Sequence, residues 1–293
     1  MYGEVIRKIR LKKGFSQKEV YGNVISKSYA IEFEKGKHQI AANILIQLLD
    51  NLSMDIDEFL FIANGYHLNE QNNYNYRYNR LANKQDIAGL QLLLEDLKKK
   101  SGKLNNIRIA EVRARIRILQ NFKQNGFYTT DVVLEEDKRV ISSYLTDVES
   151  WTLQEIQLFA NTLEFLDNES IFIFFKKVSK LLEYYVQLEK GREIYCVLLI
   201  NLVEYTFKKQ QYDYTEVLLT QLDLLSIDYR EFFHRTVYKF FVALLAMKKA
   251  DKEKEKAKAK AKAKAKAKAT YMLQVMKDLD HAPLAEMYSL LLV

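Results

Sequence analysis

The stretch Ser16-Gln17-Lys18-Glu19-Val20-Tyr21-Gly22-Asn23-Val24-Ile25-Ser26-Lys27-Ser28-Tyr29-Ala30-Ile31-Glu32-Phe33-Glu34-Lys35-Gly36 decides how this chain is read. Ser16 followed three residues later by Glu19 is a capping box, so a short helix starts there. Gly22-Asn23 breaks it, since both residues tolerate a positive φ. Ser26 then caps a second helix, which Lys35-Gly36 stops. Two short helices joined by a tight turn predict a helix-turn-helix, whose second helix offers its early side chains to base edges in the major groove. Ser26, Lys27, Ser28 and Tyr29 stand at those positions, where the helix dipole and free amides also favour a phosphate.

Upstream, Val5, Ile6, Ile9 and Arg10 form a stripe at helical spacing that ends at Gly14; downstream, two more helices are expected near 41–51 and 55–64. Residues 1–65 therefore read as a five-helix domain, its core made by Ala30, Ile31, Phe33, Val5, Ile9, Val20 and Leu45. The charge is concentrated here in an informative way. Residues 1–40 hold nine Lys/Arg against four Asp/Glu, whereas residues 41–65 hold four acids and no base. The basic face carries the expected DNA contacts: Arg7, Lys12, Gln17, Lys18, Ser26, Lys27, Ser28, Tyr29 and Lys37. The formal net charge of +7 says less, because nine lysines and two glutamates between Lys252 and Lys268 account for all of it.

Helical periodicity continues to the end of the chain, and the expected fold class is all-α. Beyond Gly65 an amide and tyrosine cluster, Asn69 to Asn79, leads into segments near 104–124, 131–146, 152–166, 169–188, 191–209, 212–225, 229–249 and 271–291. Such lengths with short links predict stacked helical hairpins, so 66–293 reads as a degenerate tetratricopeptide-like repeat domain. The Lys/Ala tract at 252–269 puts lysine on every face of a helix. It is expected to be a solvated or disordered insert outside the core.

The inventory speaks against an enzyme. The four histidines, His38, His67, His234 and His281, are isolated in sequence and read as surface residues. Neither a Gly-rich phosphate loop nor a Gly-x-Ser-x-Gly turn occurs. No catalytic residue, metal ligand or cofactor is expected. Cys196, the single cysteine, excludes an internal disulfide and sits in the apolar run Tyr195-Cys196-Val197-Leu198-Leu199, as a small buried hydrophobe does. No run of apolar residues is long enough to span a membrane and no signal peptide is visible, so the expected location is the cytoplasm.

Gly3-Glu4-Val5-Ile6-Arg7-Lys8-Ile9-Arg10, Gly14-Phe15-Ser16-Gln17-Lys18-Glu19, the run from Ser26 to Gly36 and the segment from Leu48 to Phe59 resemble the N-terminal domain of Rgg/GadR/MutR-type transcriptional regulators. Val148 to Asn161 and the region around Asn201 resemble the same family more weakly. The resemblance implies a homodimer that binds double-stranded promoter DNA and senses a short signalling peptide in its repeat domain. Two positions depart from the pattern: Glu32, where some members have a basic residue, and Ala42, where others have the cysteine of an intersubunit disulfide. Asn161 and Asn201 lie inside apolar helices at positions that resemble peptide-clamping asparagines, and one amide can both donate to and accept from a peptide backbone. Arg192, Tyr205, Arg235 and Tyr238 are further candidates for the same surface. The competing expectation is a helical-repeat adaptor, or a constitutive DNA-binding regulator with no peptide ligand.

Overall fold

In the computed structural model residues 1–250 and 255–292 are described, with side chains in the second stretch from Ala259 onward. Among them every regular element is helical. The chain divides into two compact units, Met1–Arg77 and Tyr78–Val293.

The smaller unit holds α1 (Tyr2–Lys12), α2 (Gln17–Tyr21), α3 (Lys27–Glu34), α4 (Ala42–Asn51) and α5 (Ile56–Ala63). The capping box forms: Ser16 N donates to Glu19 Oε2 at 2.6 Å and Glu19 N to Ser16 Oγ at 3.3 Å. Asn23 takes a φ of 63° in the turn, and Tyr29 N donates to Ser26 Oγ at 3.3 Å to cap α3. Ile6, Val20, Phe33, Leu48, Leu52 and Phe59 close the core, while Val5 and Ile31, expected inside, are only half-buried. Gly3 explains how α1 reaches α3. A Cβ there would lie 1.7 Å from the Phe33 carbonyl oxygen, so no larger residue fits that crossing.

The amide and tyrosine cluster is itself a helix, α6 (Glu70–Asn83), with Tyr74 and Tyr78 buried one turn apart. The boundary between the two units, Arg77/Tyr78, falls within α6. There follow α7 (Ile87–Lys98), α8 (Lys103–Asn125), α9 (Glu135–Asp147), α10 (Leu153–Thr162), α11 (Asn168–Ser179), α12 (Leu182–Tyr185), α13 (Glu189–Lys208), α14 (Tyr212–Leu225), α15 (Phe232–Ala250), α16 (Glu255–Asp278) and α17 (Ala282–Ser289). Most helices pack on their neighbours in sequence, with α10 against α13 as the main longer-range pairing, as hairpin stacking requires. The segment expected at 169–188 is two helices, and that expected at 271–291 is the end of α16 followed by α17.

The Lys/Ala tract corrects the sequence reading. Apart from residues 252–254, which lie outside the described residues, it belongs to α16, which packs on α15 and α17. Ala265 and Ala269 are buried within the main core, and Leu273 and Met276 extend their line. The reason is parity. A helix meets its neighbour along rows spaced by four residues, and in a strictly alternating tract a step of four from alanine always lands on alanine. One ridge is therefore free of lysine, and its small side chains admit a close neighbour.

Candidate functional site

In the smaller unit a carboxylate fixes the helix-turn-helix geometry. Glu34, at the end of α3, is 4% exposed and accepts from Arg10 Nε at 2.6 Å, Arg10 Nη2 at 3.0 Å, Gln17 Nε2 at 2.9 Å and Tyr21 Oη at 2.8 Å. Burial by itself would raise its pKa, but the hydrogen bonds from Arg10, Gln17 and Tyr21 outweigh it and hold the carboxyl below its ordinary value. Arg10 also donates to the Phe15 carbonyl at 2.8 Å, so α1, α2 and α3 are joined at one point. Arg10 read as part of the α1 stripe, and nothing in the sequence paired it with Glu34, 24 residues away.

This network leaves the N-terminal turn of α3 outward. Ser26, Lys27, Ser28 and Tyr29 are exposed, as are Arg7, Lys12, Lys18 and Lys37. Six of the expected DNA contacts have partners within the chain: Ser26 Oγ and Ser28 Oγ lie 3.2 Å apart, Arg7 Nε is 3.9 Å from Glu34 Oε2, and the other three are Gln17, Lys37 and Tyr29. Gln17 is half-buried and donates to Glu34. Lys37 pairs with Glu32 at 2.9 Å, and Lys35 reaches the same carboxylate at 2.9 Å. Hydrogen bonds from Lys35 and Lys37 bring the Glu32 pKa down to about 2. Tyr29 stacks on His38, with ring centroids 5.1 Å apart and planes 13° apart, and its hydroxyl donates to the Gln39 carbonyl at 2.7 Å. Its orientation is thus set before any ligand arrives.

In the larger unit Asn161 and Asn201 lie on helices that pack together. Asn201, on α13, donates Nδ2 to the Ala160 carbonyl at 2.8 Å, and Asn161, the next residue of α10, donates Nδ2 to Glu111 Oε1 at 2.8 Å. Both are half-buried. The expected dual role is therefore reduced: each Nδ2 already has a partner, and it is the Oδ1 atoms that lack one among the described residues. The other candidates form separate groups. Arg235 pairs with Asp223 and lies over the Tyr238 ring at 4.7 Å; Arg192 pairs with Asp228 at 3.4 Å; Tyr205 donates to Asn168 Oδ1. No hydrogen bond or ion pair among the described residues links these groups to the asparagines.

Beside the asparagines lies a set of polar residues that the sequence reading missed. Arg115 donates Nη2 to the Asn161 carbonyl at 3.0 Å and Nη1 to Tyr128 Oη at 2.8 Å, and pairs with Glu164 at 3.0 Å. Tyr128 Oη lies 2.8 and 2.7 Å from the two Glu164 oxygens, and Tyr78, on α6, also hydrogen-bonds Arg115. Burial first, and then Glu164 against the opposing pull of Arg115, push the Tyr128 phenol well up, so it remains a proton donor. Arg115 Nε is buried with no partner among the described residues. A signal was present in Glu111-Val112-Arg113-Ala114-Arg115-Ile116-Arg117. Charges two apart occupy several faces of a helix, so a well-packed helix must bury some of them. Arg113 accordingly pairs with the fully buried Asp137 at 2.5 Å.

The histidines need one correction. His234 is buried, not a surface residue, and the fold brings it to Glu231 and Cys196, a Cys-His grouping invisible in the linear order.

Comparison with known proteins agrees with this architecture. A family model described as HTH-type transcriptional regulator Rgg, C-terminal domain, matches residues 90–290. A Listeria monocytogenes EGD-e protein, provisionally described as a transcriptional regulator, is 30% identical with a TM-score of 0.81, over 99% of this chain and 95% of that one. The SHP pheromone receptor Rgg2 of Streptococcus dysgalactiae is similar in fold, at 22% identity and a TM-score of 0.67 over 99% of this chain and 97% of its own. PrgX in its complex with cCF10 matches at 13% identity and a TM-score of 0.65, over 99% of this chain and 98% of its own.

Proposed function

The chain belongs to the Rgg family of HTH-type transcriptional regulators, and from that premise we propose that it binds promoter DNA through α3 and is controlled by a short peptide held at Asn161 and Asn201. The DNA reading is supported by the exposed turn Ser26-Lys27-Ser28-Tyr29, set on a locally basic segment and oriented by the Glu34 network. Arg7, Lys12, Lys18, Lys27 and Lys37 supply phosphate contacts, Ser26, Ser28 and Tyr29 the base edges, and Gln17 acts through Glu34. Binding as a homodimer would place two such helices on successive major grooves.

The observation that carries the peptide reading is the adjacency of two half-buried asparagines on facing helices, whose Oδ1 atoms lack a partner among the described residues, next to Arg115, whose Nε also lacks one among them. Two acceptors and a cationic donor suit an extended peptide backbone, with Arg192, Tyr205, Arg235 and Tyr238 as outlying contacts. The occupied Nδ2 groups favour a second reading, a constitutive regulator in which the asparagines only join helices. Binding of the full chain to a labelled duplex from its own upstream region, measured by anisotropy across a salt series, separates the possibilities. The proposal requires affinity that falls with salt and a further shift when short apolar peptides encoded beside the gene are added. Salt-independent binding would refute the DNA reading, and the absence of any peptide effect would leave the constitutive one.

A further inference from the structure

We propose that Cys196, Glu231 and His234 form a binding site for a zinc-class divalent metal ion. Cys196 sits on α13, Glu231 closes the 3-10 turn Tyr229–Glu231, and His234 lies in the first turn of α15. One ligand atom from each lies within 4.8 Å of the others, and the residues are 0%, 6% and 7% exposed. Glu231 and His234 stand three residues apart, the Glu-x-x-His spacing by which one helical turn presents a carboxylate and an imidazole to a single metal. Cys196 supplies a thiolate from the facing helix. The 3-10 turn is itself anchored, since Asp228 Oδ1 accepts from Arg230 N at 3.0 Å.

The donor set and its charge select the ion. Thiolate, imidazole and carboxylate are the three ligand types of zinc sites, and three protein ligands leave a fourth position for water. A thiolate and a carboxylate together cancel a divalent charge, so the loaded site is neutral in a buried place where a net charge is costly. In the structure His234 Nδ1 and Glu231 Oε2 are hydrogen-bonded at 2.5 Å, with the buried Cys196 beside them. A bound metal takes the place of the hydrogen between imidazole and carboxylate and of the thiol hydrogen. Ligand bonds of about 2.0–2.3 Å put tetrahedral donors roughly 3.3–3.8 Å apart, so the imidazole and carboxylate move apart, and the thiolate needs to move in by no more than about 1 Å. A buried Glu-His ion pair alone gives no role to the sulfur.

Cobalt titrated into the metal-free full-length protein tests this directly, because the chain has one cysteine. The expected result is one Co²⁺ per chain with a near-ultraviolet thiolate-to-metal band and visible bands of a four-coordinate ion, all bleached by Zn²⁺. Cys196→Ser removes the near-ultraviolet band, and Glu231→Gln weakens Co²⁺ binding by about tenfold or more. Zn²⁺ should also raise the Tm of the wild type. A folded wild-type protein that develops no thiolate band with Co²⁺, or whose band Zn²⁺ does not bleach, overturns the proposal; this arm depends on no variant.

Discussion

In the smaller unit four hydrogen bonds from three side chains converge on one buried carboxylate, Glu34, whereas the larger unit distributes its charge pairs, among them Arg113 with Asp137 and Arg115 with Glu164. The small unit has few residues with which to fix the angle between α2 and α3, and a single network does so. The large unit is held by an extended apolar core that includes Trp151, Phe159, Phe174, Phe240 and Phe241, so no one of its ion pairs has to define the fold. The contrast teaches that buried charge acts as a locating device in the first case. In the second it sits among surfaces that already fit.

Removing the central carboxylate should have the largest effect. Glu34→Ala leaves Arg10 buried without its counter-charge, at a cost of about 3–5 kcal/mol. Amide exchange in residues 1–77 should become fast, while the fluorescence transition of Trp151, the only tryptophan, keeps its midpoint. A shifted Trp151 transition would break the comparison, since the units would then share their stability. Acid gives the same test without mutation. The folded-state pKa of Glu34 lies below its ordinary value of 4.5, so its contribution is complete above that pH and is lost as pH falls through the lower folded value. Exchange in the first unit should accelerate over that acid range.

The legibility of the two units differs for the same reason. Ser16, Glu19, Gly22, Asn23 and Ser26 act on their own neighbours, and their helices stand where the sequence places them. Glu34 with Arg10, Asn201 with Ala160 and the Cys196 cluster are long-range meetings that no local pattern announces. The Lys/Ala tract carries charge on every face around the helix, yet packing depends on the one ridge that meets the neighbour, and that ridge is all alanine. The comparison sharpens there. Ala269→Leu, at a fully buried position, should cost about 1–3 kcal/mol by overpacking. Ala267→Leu, exposed one step away, should stay within about 0.5 kcal/mol. Equal Trp151 midpoints for the two variants would show that α16 does not pack as described.

The asparagines come next in size. Asn201→Ala removes the donor to the Ala160 carbonyl and should lower stability by about 1 kcal/mol. If the Oδ1 also holds a peptide, affinity should fall by roughly tenfold to a hundredfold, and Asn201→Asp, which keeps an acceptor, should retain more of it than alanine. A loss of stability with unaltered peptide affinity would make Asn201 purely structural.

The smallest effects are expected on the outward face of α3, where they separate positioning from contact. Lys18 is exposed with no ion pair among the described residues, so Lys18→Ala should weaken binding to all duplexes alike and reduce the salt slope by about 1. Tyr29→Phe keeps the ring on His38 but loses the hydrogen bond to the Gln39 carbonyl. Because that carbonyl can turn to water, the loss should be roughly 0.5 kcal/mol, with an unchanged salt slope. If the hydroxyl only orients the ring, Tyr29→Phe broadens the preferred sequence slightly and Tyr29→Ala broadens it much more. Should Tyr29→Phe alter a single base preference as strongly as Tyr29→Ala, the hydroxyl must leave Gln39 on binding and read that base itself, and the orientation set in the free protein would not be the one used on DNA.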